Sequence, residues 1–215
     1  MKLRSLLFAA FAAGQLSFVA GAIIDHDKVQ PFVQPEPVTV SKNAAVKFKP
    51  NVLVLWTCHL NPAVNAAGDT SGGLKGTGER DSACKAGWYQ DMWAIMYAWY
   101  FPKDVYYRGT FSDKGFRHIW KNAVVWLDNP AVEKPKILAV STSIGIKGGR
   151  YFNDSTPMLL SKADDGEDLS SLSQSNVGDG EFQDLIIWEQ LTEEARDALS
   201  STDFGETKVR RQLQR

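Results

Sequence analysis

Nine consecutive apolar and aromatic residues, Trp93 to Phe101, halted by Pro102, constrain this chain more than any other feature. The run is far short of the ~20 apolar residues a membrane helix needs, and reads as a buried strand. Val46-Lys47-Phe48-Lys49 alternates cleanly, and Asn51 to Trp56 continues with Val52, Val54 and Trp56 on one face, so both are expected to be strands. Ala123 to Leu127, Ile137 to Thr142 and Phe182 to Trp188 are further β-rich runs, bounded by turn residues such as Asp128-Asn129-Pro130. Many short strands separated by turns point to a mainly β sandwich of α+β type. A helix is expected at 193–200, where Thr192 can cap it and Glu193-Glu194 complement its first turn.

Between these elements the chain changes character. Pro31, Pro35 and Pro37 restrict residues 23–43 to an extended arm. Residues 65–83, centred on Ser71-Gly72-Gly73, read as a long loop, and the acidic, Ser-rich stretch 161–180 as a solvated loop without core. The sandwich domain is assigned to 44–208, and the basic tail 209–215 to disorder. No internal repeat is present.

The first residues point to a compartment. Lys2 and Arg4 precede a mostly apolar stretch ending in the small-x-small pattern Ala20-Gly21-Ala22, so residues 1–22 are expected to be a secretory signal peptide. In an oxidising compartment Cys58 and Cys84, the only cysteines, are expected to pair, closing a loop whose chain entropy is worth roughly 3.5 kcal/mol. Asn153-Asp154-Ser155 is a glycosylation sequon, consistent with secretion. A formal net charge of -1 supplies no basic face for nucleic acid. At 215 residues the chain holds a core of its own, and a monomer is expected.

Catalytic chemistry finds little support. The three histidines, His26, His59 and His118, stand beside no Gly-x-Ser-x-Gly elbow, and Lys147-Gly148-Gly149 lacks the surroundings of a phosphate loop. The cluster Asp164-Asp165-Gly166-Glu167-Asp168 has no interleaved apolar residue to shift a pKa and no EF-hand spacing, and reads as a hydrated loop. The expectation is a protein that is not an enzyme.

Two longer stretches carry a resemblance. Ala94-Ile95-Met96-Tyr97-Ala98-Trp99-Tyr100-Phe101-Pro102-Lys103-Asp104, followed by Gly115-Phe116-Arg117-His118-Ile119-Trp120-Lys121, resembles the necrosis- and ethylene-inducing-peptide-like proteins. Asp25 to Val29, Thr70 to Lys75, Val124 to Pro130 and Gly180 to Ile186 look like that family's two-cysteine subgroup. The resemblance implies a central β-sandwich flanked by helices, similar to actinoporins, in an effector secreted by a plant-associated oomycete, fungus or bacterium. It implies plant plasma-membrane sphingolipids as the target of cytolytic members. It also implies that the segment Ala94–Asp104 can be sensed by a plant pattern-recognition receptor.

The same resemblance implies a divalent cation, Ca²⁺ or Mg²⁺, held by the aspartate of the Phe-Pro-Lys-Asp run and by a heptapeptide Gly-His-Arg-His-Asp-Trp-Glu. This chain keeps Asp104, Gly115, Arg117, His118 and Trp120, but has Phe116 for the first histidine, Ile119 for the aspartate and Lys121 for the glutamate. One carboxylate does not satisfy a hard cation that takes six or more oxygens, so the pocket is expected to be a remnant and no cofactor is expected. Asp104 reads as a turn residue or as a retained polar group. His118 and Trp120 read as strand packing, Phe116 and Ile119 as apolar filling. Lys121 reads either as part of a solvated basic turn with Lys114 and Arg117, or as a charge standing in for the lost cation. The expected function is therefore a weakly cytolytic or non-cytolytic effector at the plant plasma membrane or apoplast. The alternatives are an active sphingolipid-binding cytolysin and a lectin-like glycan-binding module.

Overall fold

A computed structural model describes residues 21–55, 60–74, 82–89, 92–103, 117–144, 148–152, 158–162, 171–174 and 183–205. In chain order its elements are β1 (Ile23–Ile24), α1 (Val40–Lys47), β2 (Asn51–Leu55), β3 (Thr70–Ser71), β4 (Ser82–Tyr89), β5 (Met92–Lys103) and β6 (Arg117–Leu127). There follow β7 (Ile137–Ile144), β8 (Gly148–Phe152), β9 (Met158–Lys162), β10 (Ser171–Gln174), β11 (Leu185–Ile187), a single 3₁₀ turn at Trp188–Gln190, and α2 (Glu193–Ser201). Among the described residues one hydrogen-bonded sheet runs β11-β4-β5-β6-β7-β10-β9-β2, with β8 also on β7; β1 and β3 form a separate parallel pair. Within the larger sheet, pairing is antiparallel except for β11 with β4 and β2 with β9. The fold is mixed α+β with a mainly antiparallel sheet.

β5 lies within the sheet, between β4 and β6, and from Tyr97 onward every residue of it is buried. Alternation sends Ile95, Tyr97, Trp99 and Phe101 to the main core and Tyr100 to a second cluster on the opposite face. That double burial is why the run reads as continuously apolar in sequence. Val52 from β2 and Leu172 from β10 join the same main core as Ile119, Val125 and Leu127 from β6. The second cluster gathers Tyr100, Ile186, Leu191, Ala195, Leu199 and Phe204.

The expected strand at 46–49 is instead the end of α1. Thr39 caps that helix by accepting from the Lys42 N–H at 3.2 Å, and the Phe48 N–H closes it on the Ala44 carbonyl. Ala44, Ala45 and Phe48 form an i, i+1, i+4 face against the core, a helical period that outweighs the two-residue alternation. The Tyr97 hydroxyl donates to the Ala45 carbonyl at 2.8 Å and ties α1 to β5.

Two loop expectations also need correction. The stretch 65–83 contains β3 and the start of β4, because the Thr70 N–H donates to the Ala22 carbonyl and β4 pairs along β5 from Ser82 to Tyr89. The stretch 161–180 contains the end of β9 and all of β10, whose Leu172 is fully buried. The helix at 193–200 is present as α2, capped by Thr192 and buried through Ala195 and Leu199. The Asp128-Asn129-Pro130 turn is present too, its Asp128 carboxylate accepting from the N–H groups of Asn129 and Lys136.

Candidate functional site

The antiparallel register of β5 and β6 places Phe101 opposite Ile119 and Lys103 opposite Arg117, which leaves Pro102 facing His118. Pro102 has no N–H to offer a ladder, and His118 responds by leaving the extended region, with φ at +63°. Histidine tolerates that left-handed conformation better than most side chains, though it still costs about 1–3 kcal/mol.

Strand alternation then splits the heptapeptide residues between two faces. Ile119 and Lys121 point the same way as Ala123, Val125 and Leu127, into the main core; Ile119 is 1% and Lys121 2% exposed. The Lys121 ammonium sits 4.6 Å from the centre of the Phe101 ring, across the strand pair, where the face of the ring attracts a cation. The reading of Lys121 as part of a solvated basic turn is thereby overturned. Arg117 alone of residues 117–121 is exposed.

His118 and Trp120 join Tyr100 and Phe204 on the other face. Ring centres lie 5.2 Å apart for Tyr100–Trp120, 5.4 Å for His118–Phe204 and 5.7 Å for Trp120–Phe204. The edge-on arrangements of Phe204 are the favoured ones for aromatic quadrupoles. The Tyr100 hydroxyl bonds His118 Nδ1 at 2.6 Å and Ser71 Oγ at 3.1 Å. Burial pushes the Tyr100 hydroxyl well above its usual range. Burial first, then the neighbouring Arg117 charge, pushes His118 down to about 4, with Asp203 opposing, so His118 is neutral at pH 7.

Gly73 fits this geometry for a steric reason. It has φ at +69°, and a Cβ there would fall 2.3 Å from Arg117 Cγ, so the glycine lets the Arg117 stem lie against the loop. The Gly72 N–H donates to the Ile24 carbonyl at 2.8 Å and the Leu74 N–H to the Pro102 carbonyl at 3.0 Å. The Thr70–Leu74 segment, the N-terminal strand, the end of β5 and the heptapeptide therefore converge at one place. Beside it lies a cleft of about 40 Å³ lined by Phe32, Pro62, Tyr100, Trp120 and Leu191, with Asp184 at its edge. That volume admits one or two waters.

Sequence reasoning singled out residues 117–121 but missed Ser71, Gly73 and Phe204 as their partners. Ser71 and Gly73 stood in a motif already quoted, while Phe204, next to Gly205 at φ +74°, carried no signal beyond an aromatic after a helix. Asp104, Gly115, Phe116, Cys58 and Asn153 lie outside the described residues; the backbone of Cys84 pairs with Tyr97. Among the described residues no three His, Cys, Asp or Glu side chains come together as a metal site, and no helix is long and apolar enough to cross a membrane.

Residues 42–212 match the family model described as necrosis inducing protein (NPP1). The chain is 44% identical over 214 residues to NLP effector protein 10 of Phytophthora capsici, covering 92% of this chain and 90% of that relative. Among solved structures, the non-toxic HaNLP3 protein superposes with a TM-score of 0.75 at 39% identity, over 85% of this chain and 90% of the other. NLPPya in complex with mannosamine superposes with a TM-score of 0.77 at 39% identity, over 88% and 93%.

Proposed function

The chain belongs to the necrosis inducing protein (NPP1) family, and from that premise we propose that it is a secreted effector of a Phytophthora-like plant pathogen with weak or absent cytolysis. The family is one of toxins and the chain is not an enzyme. Its place of action in this reading is the host plasma membrane or the apoplast. Its sheet is taken to close into the actinoporin-like sandwich, with the Cys58–Cys84 bridge and a glycan acceptor at Asn153.

The observation that carries this reading is the burial of Ile119 and Lys121 on the core face of β6. The resemblance assigns two cation ligands to those positions. A hydrocarbon and an ammonium give a hard divalent ion no oxygen, and at ~4 Å with an effective dielectric of ~20 the ammonium repels a divalent charge by about 8 kcal/mol. The residues present do not fit the metal. The non-toxic HaNLP3 neighbour supports the separation of this fold from toxicity, and the mannosamine complex of NLPPya supports a sugar-bearing head group as the partner at the host surface.

Dye release from vesicles of plant sphingolipids tests the proposal. Purified mature protein should release no dye at concentrations where a lytic relative does; release that requires Ca²⁺ and stops with chelator would overturn it. Glycan binding without leakage would favour the lectin-like reading. The segment Ala94–Asp104 adds a second arm. Its residues Tyr97 to Lys103 are buried, paired along β6 and as far as Trp99 also along β4, so a plant receptor would meet them only on a cleaved or unfolded chain. A synthetic peptide spanning Ala94 to Lys121 should trigger defence signalling. Silence where a family-consensus peptide is active would remove this part of the reading.

A further inference from the structure

The N-terminal strand begins with an arrangement unlike an ordinary chain lead-in. The Ala22 N–H donates to Asp69 Oδ1 at 2.9 Å, and the Ala22 carbonyl accepts from the Thr70 N–H at 2.8 Å. Both backbone groups of residue 22 are thus bonded one residue before the parallel register Ile23 to Thr70 starts. The Asp69 carboxylate is held from the other side as well: Oδ2 accepts from the Asn65 side-chain amide at 3.0 Å, and Asn65 Oδ1 accepts from the Asp69 and Ala67 N–H groups. The 65–69 turn is fixed in turn on α2, where the Thr192 hydroxyl donates to the Ala66 carbonyl at 2.8 Å. These bonds, Asn65 first and Ala22 second, hold the Asp69 carboxyl below its usual range, so it is a carboxylate across the working pH.

Gly21 is wedged in place. A Cβ on it would fall 1.9 Å from the Gly68 carbonyl oxygen. A peptidase must hold its substrate extended and open around the bond it cuts, so it cannot act there once this strand has docked. Any cut at this place precedes docking.

We propose that the leader is cut between Gly21 and Ala22, and that the α-ammonium this creates is received by the preformed Asp69 carboxylate, locking the N-terminal strand beside the candidate site. The inference rests on the secretion reading above. A leader peptidase hydrolyses the Gly21–Ala22 amide with one water: the leader departs with the Gly21 carboxylate, and the domain gains a protonated amine at Ala22. A neutral N–H that donates once becomes a cation with three donors in the same position. The small-x-small pattern alone places the cut one bond later, after Ala22, which would discard both hydrogen bonds that Ala22 makes. The charged group that faces the new amine is Asp69; the start of α2 approaches Gly68 through the backbone and Cβ of Glu194, and Asp25, His26, Asp27 and Lys28 follow on its own segment, Lys28 paired with Asp27 at 3.2 Å.

The sign of the pH dependence follows. A carboxylate partner raises the amine's folded pKa above the ~7.7–8.0 of an ordinary α-amine. The stabilisation is therefore complete below that range and lost as pH rises through the raised value. Intact mass of the secreted protein should give a chain starting at Ala22. In that protein the α-amine, followed by NMR, should titrate above the ordinary range and return to it in Asp69→Asn. Acetylating the α-amine, which leaves the turn untouched, should lower the melting temperature at pH 6 and have little effect well above pH 9. A secreted chain starting at Ile23, or an α-amine that titrates normally whatever occupies position 69, would overturn the inference alone. A retained leader would overturn both it and the secretion reading.

Discussion

Lys121→Met keeps an unbranched stem in the core and deletes the charge. Lys121 is 2% exposed, and its ammonium lies 4.6 Å from the centre of the Phe101 ring on the face shared with Ile119. If Lys121 is the charge that stands in for the lost cation, the second of the two readings its sequence position allowed, its partner is Asp104, the carboxylate that ends the Phe-Pro-Lys-Asp run. Breaking a buried charge pair by removing one member costs about 3–5 kcal/mol, because the other charge is left desolvated. The lost contact with Phe101 adds about 1 kcal/mol. In a domain of this size each kcal/mol lowers the melting temperature by about 2–4 °C, so thermal unfolding of Lys121→Met should fall by on the order of 10 °C or more. Adding Asp104→Asn should return most of that loss, since the residual charge is then gone, and the double-mutant cycle isolates the coupling. Chelator and millimolar Ca²⁺ should leave the wild-type transition unmoved. A Lys121→Met protein as stable as wild type would refute the reasoning, because a lone desolvated ammonium is relieved, not harmed, by a methionine. So would a wild-type transition that climbs with Ca²⁺.

Three further outcomes are expected. Tyr100→Phe removes the hydroxyl shared by His118 and Ser71, leaving the buried Ser71 and the half-buried His118 without that bond, and chemical denaturation should show a loss of about 1–3 kcal/mol. Because His118 is held near 4 in the folded chain, the unfolded chain binds the extra proton; stability should be complete above about pH 6.5 and decline as pH falls toward 4. His118→Asn, which also tolerates a left-handed backbone, should flatten that profile, and an unchanged slope would count against the assignment. Leu172→Ala should cost about 2–5 kcal/mol, measured by urea unfolding, whereas a solvated loop would register almost nothing.

How much of this was legible in sequence depended on how many faces of each element are buried. β5 was readable because its residues from Tyr97 onward are buried on both faces, so apolar residues run without a break. α1 was misread because Val46-Lys47-Phe48-Lys49 alternates, while its helical face rests on two alanines, Ala44 and Ala45, which carry little amphipathic signal. β10, Ser171-Leu172-Ser173-Gln174, offers one apolar residue among polar ones, and it is a strand because β9 supplies its ladder. Tertiary pairing made that element, and no local pattern announces it.

The site divides in the same way. Residues 115–121 could be marked as a motif, but the partners of His118 stand 18 residues away at Tyr100 and beyond helix α2 at Phe204. The register that turns His118 against Pro102 is likewise a long-range matter. Once 117–121 is known to be a strand, its alternation explains which departures from the family heptapeptide this fold can accept. His118 and Trp120 pack with Tyr100 and Phe204 on the second face, where their rings fill space whether or not a cation lies nearby. Positions 119 and 121 face the main core. There a carboxylate without a cation would be a desolvated, unpaired charge costing several kcal/mol, so loss of the metal requires replacing both. Isoleucine satisfies position 119 outright by packing in the cluster of Val125 and Leu127, whereas lysine at 121 carries its own positive charge into the core. There the face of the Phe101 ring, its centre 4.6 Å from the ammonium, receives part of that charge.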